Sequence, residues 1–212
     1  MAEHKTHWEN VYRNKQPDEV SWFQQHPEKS LEIIREARVG LNDSVIDVGG
    51  GASGLVDRLL AAGYSDLSVM DIAGTALQHS KSRLGPAAAR VSWIESDVLQ
   101  FEPSRPYALW HDRAVFHFLT RESDRRNYLH VLQKALLPGG QVIIATFAPD
   151  GPEKCSGLVV ERYDADKLQA VLGAGFLLLN TVKEAHRTPA GQLQHFAWFH
   201  LRRVELSSAS SA

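Results

Sequence analysis

Apolar positions along the chain follow two alternating rhythms. Short apolar runs have the length of buried strands: Val45-Ile46, Leu67 to Met70, Val91-Trp93-Ile94, Tyr107 to Trp110 and Gln141 to Phe147. Between them the spacing becomes helical. Leu55, Val56, Leu59 and Leu60 form one stripe closed by Gly63, and Ala76, Leu77, Ser80 and Leu84 form another stopped at Gly85-Pro86. Ser123 to Leu136 forms a third, with Leu129, Leu132 and Leu136 inward and a halt at Pro138-Gly139-Gly140. Strands alternating with helices predict an α/β fold with an open, largely parallel sheet and right-handed crossovers. The fifth run is apolar throughout, as a central parallel strand is.

Both ends depart from this rhythm. Thr6 and Glu9 read as a capping box for an opening helix that places Trp8, Val11 and Tyr12 on one face. Asn14 to Phe23 reads as a loop, and Pro27 opens a second helix with Leu31 and Ile34 inward. After Phe147 comes a long loop carrying Pro149, Gly151, Pro152 and Cys155-Ser156-Gly157. A helix over Asp164 to Leu172 follows, closed by Gly173. Phe176 to Lys183 and Phe196 to Arg202 are strand-like and flank Thr188-Pro189-Ala190-Gly191, which predicts an antiparallel hairpin.

Composition narrows the class. A chain of 212 residues buries a good core as one domain. A net charge of −2 gives no reason to expect nucleic acid or an anionic membrane as partner. Cys155 is the only cysteine, so no intrachain disulfide forms and a reducing cytoplasm is the default. Met1-Ala2-Glu3-His4-Lys5 lacks a signal pattern, and no apolar run approaches the ~20 residues that span a bilayer. The histidines show no ligand spacing, so no metal is expected. The expectation is a soluble cytoplasmic protein.

The candidate chemistry lies at the strand ends, because open α/β sheets bind ligands beyond the carboxyl ends of their strands. That rule collects Asp47, Asp71, Asp97 and His111-Asp112 on one rim. Asp47-Val48-Gly49-Gly50-Gly51-Ala52-Ser53-Gly54 follows the first strand, and Gly49, Gly51 and Gly54 fit G-x-G-x-x-G, a dinucleotide pattern that alone is weak. Asp47 in front of it would repel a pyrophosphate yet suit an ammonium group. Asp71 lies near the ~20-residue offset at which an acid takes ribose hydroxyls, and Asp97 is placed to accept from an adenine amino group. Adenine, ribose and amino acid in that order describe S-adenosylmethionine (SAM) better than NAD.

Asp47-Val48-Gly49-Gly50-Gly51, Asp71 after Ser68-Val69-Met70, Ser96-Asp97-Val98 and Leu136-Leu137-Pro138-Gly139-Gly140 resemble the successive motifs of class I SAM-dependent methyltransferases. The resemblance runs over roughly residues 40 to 202. It implies a Rossmann-like, seven-stranded, mostly parallel sheet with helices on both faces and a C-terminal antiparallel hairpin. Residues 1–40 would be a helical cap, 41–205 the SAM-binding domain, and 206–212 a flexible tail. Ser53 stands where the family often has a third glycine. A finer similarity joins Trp8-Glu9-Asn10-Val11-Tyr12, Trp22-Phe23-Gln24-Gln25, Asp112-Arg113-Ala114 and Arg125-Arg126-Asn127-Tyr128 to the thiopurine and thiol methyltransferase branch, whose acceptors are soft heteroatoms. The N-terminal segment is also similar to protein-lysine methyltransferases, which tend to carry Asp-Lys-Gly where this chain has Asp112-Arg113-Ala114.

The resemblance implies a site. Asp47, Gly49, Gly50, Gly51, Asp71, Ile72, Asp97, Val98, Trp22 and His111 would hold SAM and its product S-adenosylhomocysteine. His111 and Asp112 would stand nearest the transferred methyl as the catalytic pair. Phe23, Arg113 and Cys155 would face the acceptor. Methyl transfer from a sulfonium is an in-line displacement, and no Lys/Tyr/Glu base motif is evident, which favours a thiol, arylamine or heteroatom oxyanion as acceptor. A small-molecule substrate is the first reading and a protein lysine the second. A non-catalytic SAM- or dinucleotide-binding protein is the third.

Overall fold

The computed structural model describes residues 2–205; the tail expected to fray, 206–212, lies outside them. The five apolar runs form β1 (Val45–Val48), β2 (Leu67–Asp71), β3 (Val91–Glu95), β4 (Tyr107–Arg113) and β5 (Leu136–Phe147). A two-stranded flap, β6 (Lys154–Cys155) and β7 (Leu158–Val159), precedes the hairpin β8 (Phe176–Arg187) and β9 (Leu193–Arg203). The main sheet has seven strands in the order β3-β2-β1-β4-β5-β9-β8. Its first five are mutually parallel, and β9 pairs antiparallel with both β5 and β8. The expected fold and hairpin are both present.

Side-chain alternation along the strands sorts the core into two layers. Val45, Val69, Leu109 and Ile143 pack beneath α2 (Glu28–Glu36), α3 (Leu55–Ala61) and α4 (Gly74–Leu84). Ile46, Trp110, Val142 and Ile144 face the other way, against α5 (Glu122–Ala135) and α6 (Ala165–Leu172). Helices therefore cover both faces, and the polar rim at the strand ends stays open to a ligand.

Several local expectations shift. The helix α1 spans Ala2–Asn14, so Thr6 sits in its second turn and does not cap it. Glu9 does cap a helix, but a distant one: its carboxylate accepts from Gly74 N–H at 2.8 Å and from the Thr75 hydroxyl at the start of α4. Pro27 stands just before α2, whose buried apolar side chains are Ile33 and Ile34. The expected loop to Phe23 contains a 3-10 turn over Pro17–Glu19. α5 ends at Ala135, and Leu136 already belongs to β5, pairing with Tyr107 before a bulge shifts the register to Gln141 and Leu109. Gly63 and Gly85 end α3 and α4 with positive φ, as the punctuation predicted.

Candidate functional site

The β1 and β4 ends meet at the middle of the sheet, where strand order reverses. Register places Asp47 opposite His111 and Val48 opposite Asp112. Beyond Val48 the chain turns back sharply with φ +67° at Gly49 and +25° at Gly51, conformations that side chains disfavour. A Cβ at Gly49 would overlap a Val115 methyl, and one at Gly50 the Asp47 carboxylate. At Gly51 it would come 2.5 Å from the Asp71 carboxylate. The N–H groups of Gly49 and Gly50 are committed to the Met70 carbonyl, at 2.7 and 3.2 Å. What these two positions offer a ligand is therefore space rather than donors. Ser53 accepts from Leu55 N–H at 3.1 Å and so supports the first turn of α3.

Two cavities flank this loop. The larger, about 1040 Å³ counting its open mouth, runs from Asp71, Ile72, Asp97 and Val98 past Gly49 to Arg113, Phe118 and Cys155. The smaller, about 550 Å³, holds Asp47, Gly49, Gly50, Ser53 and His111 beneath Phe23 and Ser30. Tyr12, Trp22, Gly49 and Arg113 line both. The N-terminal segment roofs the larger cavity with aromatic rings. Trp8 meets Trp22 edge-on at 5.6 Å and Phe118 at 5.1 Å, and Tyr12 meets Trp22 at 6.3 Å.

The acids differ in their surroundings. Asp71, 7 % exposed, accepts from Ala73 N–H at 2.8 Å. Burial lifts its pKa to about 7, and the charges of Asp47 and Glu9 push the same way. Asp97 accepts from Leu99 N–H at 2.9 Å, capping the 3-10 turn Val98–Gln100 while lining the larger cavity. Asp47 lies 2.7 Å from His111 Nδ1. A carboxylate only accepts, so Nδ1–H donates to it, and Nε2 is left to accept from the Ser30 hydroxyl at 3.0 Å. The Ser30–His111–Asp47 line is buried throughout. Both ring nitrogens of His111 are thereby taken, one by Ser30 and one by Asp47.

Asp112 was expected beside the methyl. It lines neither cavity and is wholly buried. Its oxygens accept from Val115 N–H at 3.0 Å, Phe116 N–H at 3.2 Å and Tyr128 O–H at 2.7 Å, and they organise the turn after β4. Burial holds its pKa up at about 6. Phe23 lines only the smaller cavity, apart from Cys155, which was expected to face the acceptor with it. Gly51 backs the Asp71 carboxylate and lines neither cavity. Cys155 does wall the larger cavity, and burial pushes its thiol up to about 12. His117 lies under the rim with both ring nitrogens unpartnered among the described residues, and burial then Arg113 push it down to about 3.

The residues missed from sequence are Ser30, Glu9, Tyr12 and Phe118. Ser30 and Glu9 look like ordinary helix polar positions, and their partners lie 81 and 65 residues away. Tyr12 and Phe118 carried an aromatic signal but nothing that set their direction. Among the described residues no group of three or more His, Cys, Asp or Glu could hold a metal ion, and no helix is long and apolar enough to cross a membrane.

Known proteins share this fold. The family model for a methyltransferase domain matches residues 45–140, which span β1 through the start of β5. The eEF1A lysine and N-terminal methyltransferase of Danio rerio is 25 % identical over 162 residues. That match takes in 74 % of this chain and 23 % of the relative, so the chain spans about a quarter of the relative's length. Among solved structures, the 1,6-didemethyltoxoflavin-N1-methyltransferase of Burkholderia thailandensis superposes with a TM-score of 0.73 at 19 % identity, covering 96 % of this chain and 88 % of that one. The N-methyltransferase NodS of Bradyrhizobium japonicum with S-adenosylhomocysteine gives 0.70 at 18 %, covering 93 % and 98 %. These likenesses establish the fold.

Proposed function

We propose that this chain, which carries a class I SAM-dependent methyltransferase domain, transfers the methyl group to a small-molecule heteroatom nucleophile that arrives with its lone pair free. The domain assignment rests on the family match and on the acid-and-glycine rim, and it makes SAM the cofactor. The acceptor reading rests on one observation. The end of the larger cavity beside Cys155 is walled by aromatic rings, Arg113 and Cys155; Arg113 is a cation and Cys155, its thiol pushed up to about 12, is neutral, so neither is a proton acceptor near neutral pH.

SAM, when bound, supplies a methyl group on a positively charged sulfur, a good leaving group. Asp71 and Asp97 would hold the ribose and adenine. Asp47, oriented by His111, would meet the amino-acid end, and the side-chain-free loop lets those groups approach. Trp22, Tyr12 and Trp8 would exclude water, and a ring face turned to the sulfonium would favour that cation. Alignment of this kind contributes about 7–11 kcal/mol in favourable model reactions. A thiol ionises readily and an arylamine is neutral with its lone pair free, so neither requires a base at Arg113 or Cys155.

The Danio rerio relative supports a second reading, methylation of a protein lysine or N-terminus. Labelled SAM offered to a panel of low-mass thiols and arylamines, and separately to proteins of a lysate, decides between the two. Label in the low-mass products is the expected result, and label confined to protein overturns the small-molecule reading.

A further inference from the structure

Arg113 closes β4 and lies between the two cavities, lining both. Its Nη1 donates to the Trp22 carbonyl at 2.9 Å, and its guanidinium stands 4.7 Å from the centre of the Phe196 ring. Nε and Nη2 are shielded from solvent and have no hydrogen-bond partner among the described residues. Burial lowers the pKa to about 10, which still leaves the group charged at neutral pH.

The negative groups whose fields reach this cation are committed elsewhere. Glu184 accepts from Gln24 Nε2 at 3.1 Å and from Trp198 Nε1 at 2.8 Å. Asp47 is taken by His111 at 2.7 Å. Cys155, with its pKa pushed up to about 12, is a neutral thiol. A shielded guanidinium left with one neutral carbonyl and one ring is costly to keep without a counter-ion. Its two unpaired N–H groups lie on the same edge of a rigid plane, the geometry that meets both oxygens of a carboxylate.

We propose that Arg113 is an anion subsite between the cavities, its Nε and Nη2 edge receiving a carboxylate of a bound ligand. Two ligands of the proposed reaction can bring that group, and for the second the inference rests on the small-molecule reading above. One is the cofactor, through the carboxylate of its methionine end, which belongs near Asp47 and Gly49 in the smaller cavity. The other is an acceptor carrying a carboxylate, entering from the Cys155 side. Trp22 links the subsite to the aromatic roof, because the carbonyl that fixes Nη1 belongs to the residue whose ring meets Trp8 and Tyr12.

The experiment uses the full chain and Arg113→Gln and Arg113→Lys, with melting curves to establish folding. Calorimetry compares S-adenosylhomocysteine with its decarboxylated analogue. Labelled-methyl transfer compares 2-mercaptobenzoate with thiophenol. If the cofactor supplies the carboxylate, Arg113→Gln weakens S-adenosylhomocysteine tenfold or more beyond any change for the decarboxylated analogue. If the acceptor supplies it, the loss falls on KM for 2-mercaptobenzoate, at least tenfold more than for thiophenol. In either case Arg113→Lys, which keeps charge but not the edge, recovers only part of the loss.

Equal effects on both members of each pair, or no carboxylate preference in the wild type, overturn the subsite. A wild type that binds no S-adenosylhomocysteine removes the methyltransferase reading itself. Intact cofactor binding with no carboxylate dependence removes only the subsite.

Discussion

Asp71 carries a pH signature of its own. The folded carboxyl keeps its proton to about pH 7, whereas in the unfolded chain it ionises near 4. Between those values the folded state binds more protons, so this group's contribution to stability is lost as pH rises through that window. Asp112, at about 6, acts in the same direction. Asp71→Asn should therefore flatten the upper part of the fall, and melting curves from pH 4 to 8 in the absence of ligand read it directly. Ribose hydroxyls donate to the ionised form, so affinity for S-adenosylhomocysteine should rise with pH up to about 7 and then level. Asp71→Ala should weaken it about tenfold or more, since hydrogen bonds to a charged group contribute about 1.5–3 kcal/mol. An unchanged affinity would misplace the ribose. Asp112→Ala has a different expectation. It strands three donors, two of them buried, and should lower stability by about 3 kcal/mol, while the protein that remains folded binds cofactor normally. From sequence these two acids looked alike, as acids at strand ends. What separates them is the direction of one side chain, which the strand pattern leaves open.

At the scale of elements, α1 is held down at the rim by Glu9 capping α4 and by the Lys5–Glu95 ion pair with β3. Losing a cap of this kind costs about 1 kcal/mol. Glu9→Ala should lower stability by that order and speed amide exchange in both α1 and the first turn of α4. Faster exchange in α4 alone would mean that α1 is held by its aromatic packing. Strands and helices were legible because each has a short apolar run or a 3–4 stripe ended by Gly or Pro, as at Gly63 and Gly85. Caps were less so. Thr6 and Glu9 satisfied a local pattern, but Glu9 is satisfied by a partner 65 residues away, and local spacing carries no information on that. The Ser30 contact to His111 was hidden for the same reason.

The whole molecule was legible to the extent that βαβ units admit few arrangements. Right-handed crossovers place β1 beside β2 and β4, and the C-terminal hairpin then extends the sheet past β5. The collection of Asp47, Asp71 and Asp97 on one rim follows from that order. The roof did not, because its direction is set by packing of Trp8, Tyr12 and Trp22 rather than by any periodicity. A ligand that binds only the folded state at one hundred times its Kd adds about 2.7 kcal/mol. For a chain of this size each kcal/mol moves Tm by about 2–4 °C. Saturating S-adenosylhomocysteine should then raise Tm by about 5–11 °C by scanning calorimetry, and a rise below 1 °C would count against cofactor binding.

The most direct test is a titration of the full chain at neutral pH with S-adenosylhomocysteine and, in parallel, with NADH. The account predicts one saturable site for S-adenosylhomocysteine in the micromolar range and no heat of binding for NADH. Saturable NADH binding with no response to S-adenosylhomocysteine would contradict it.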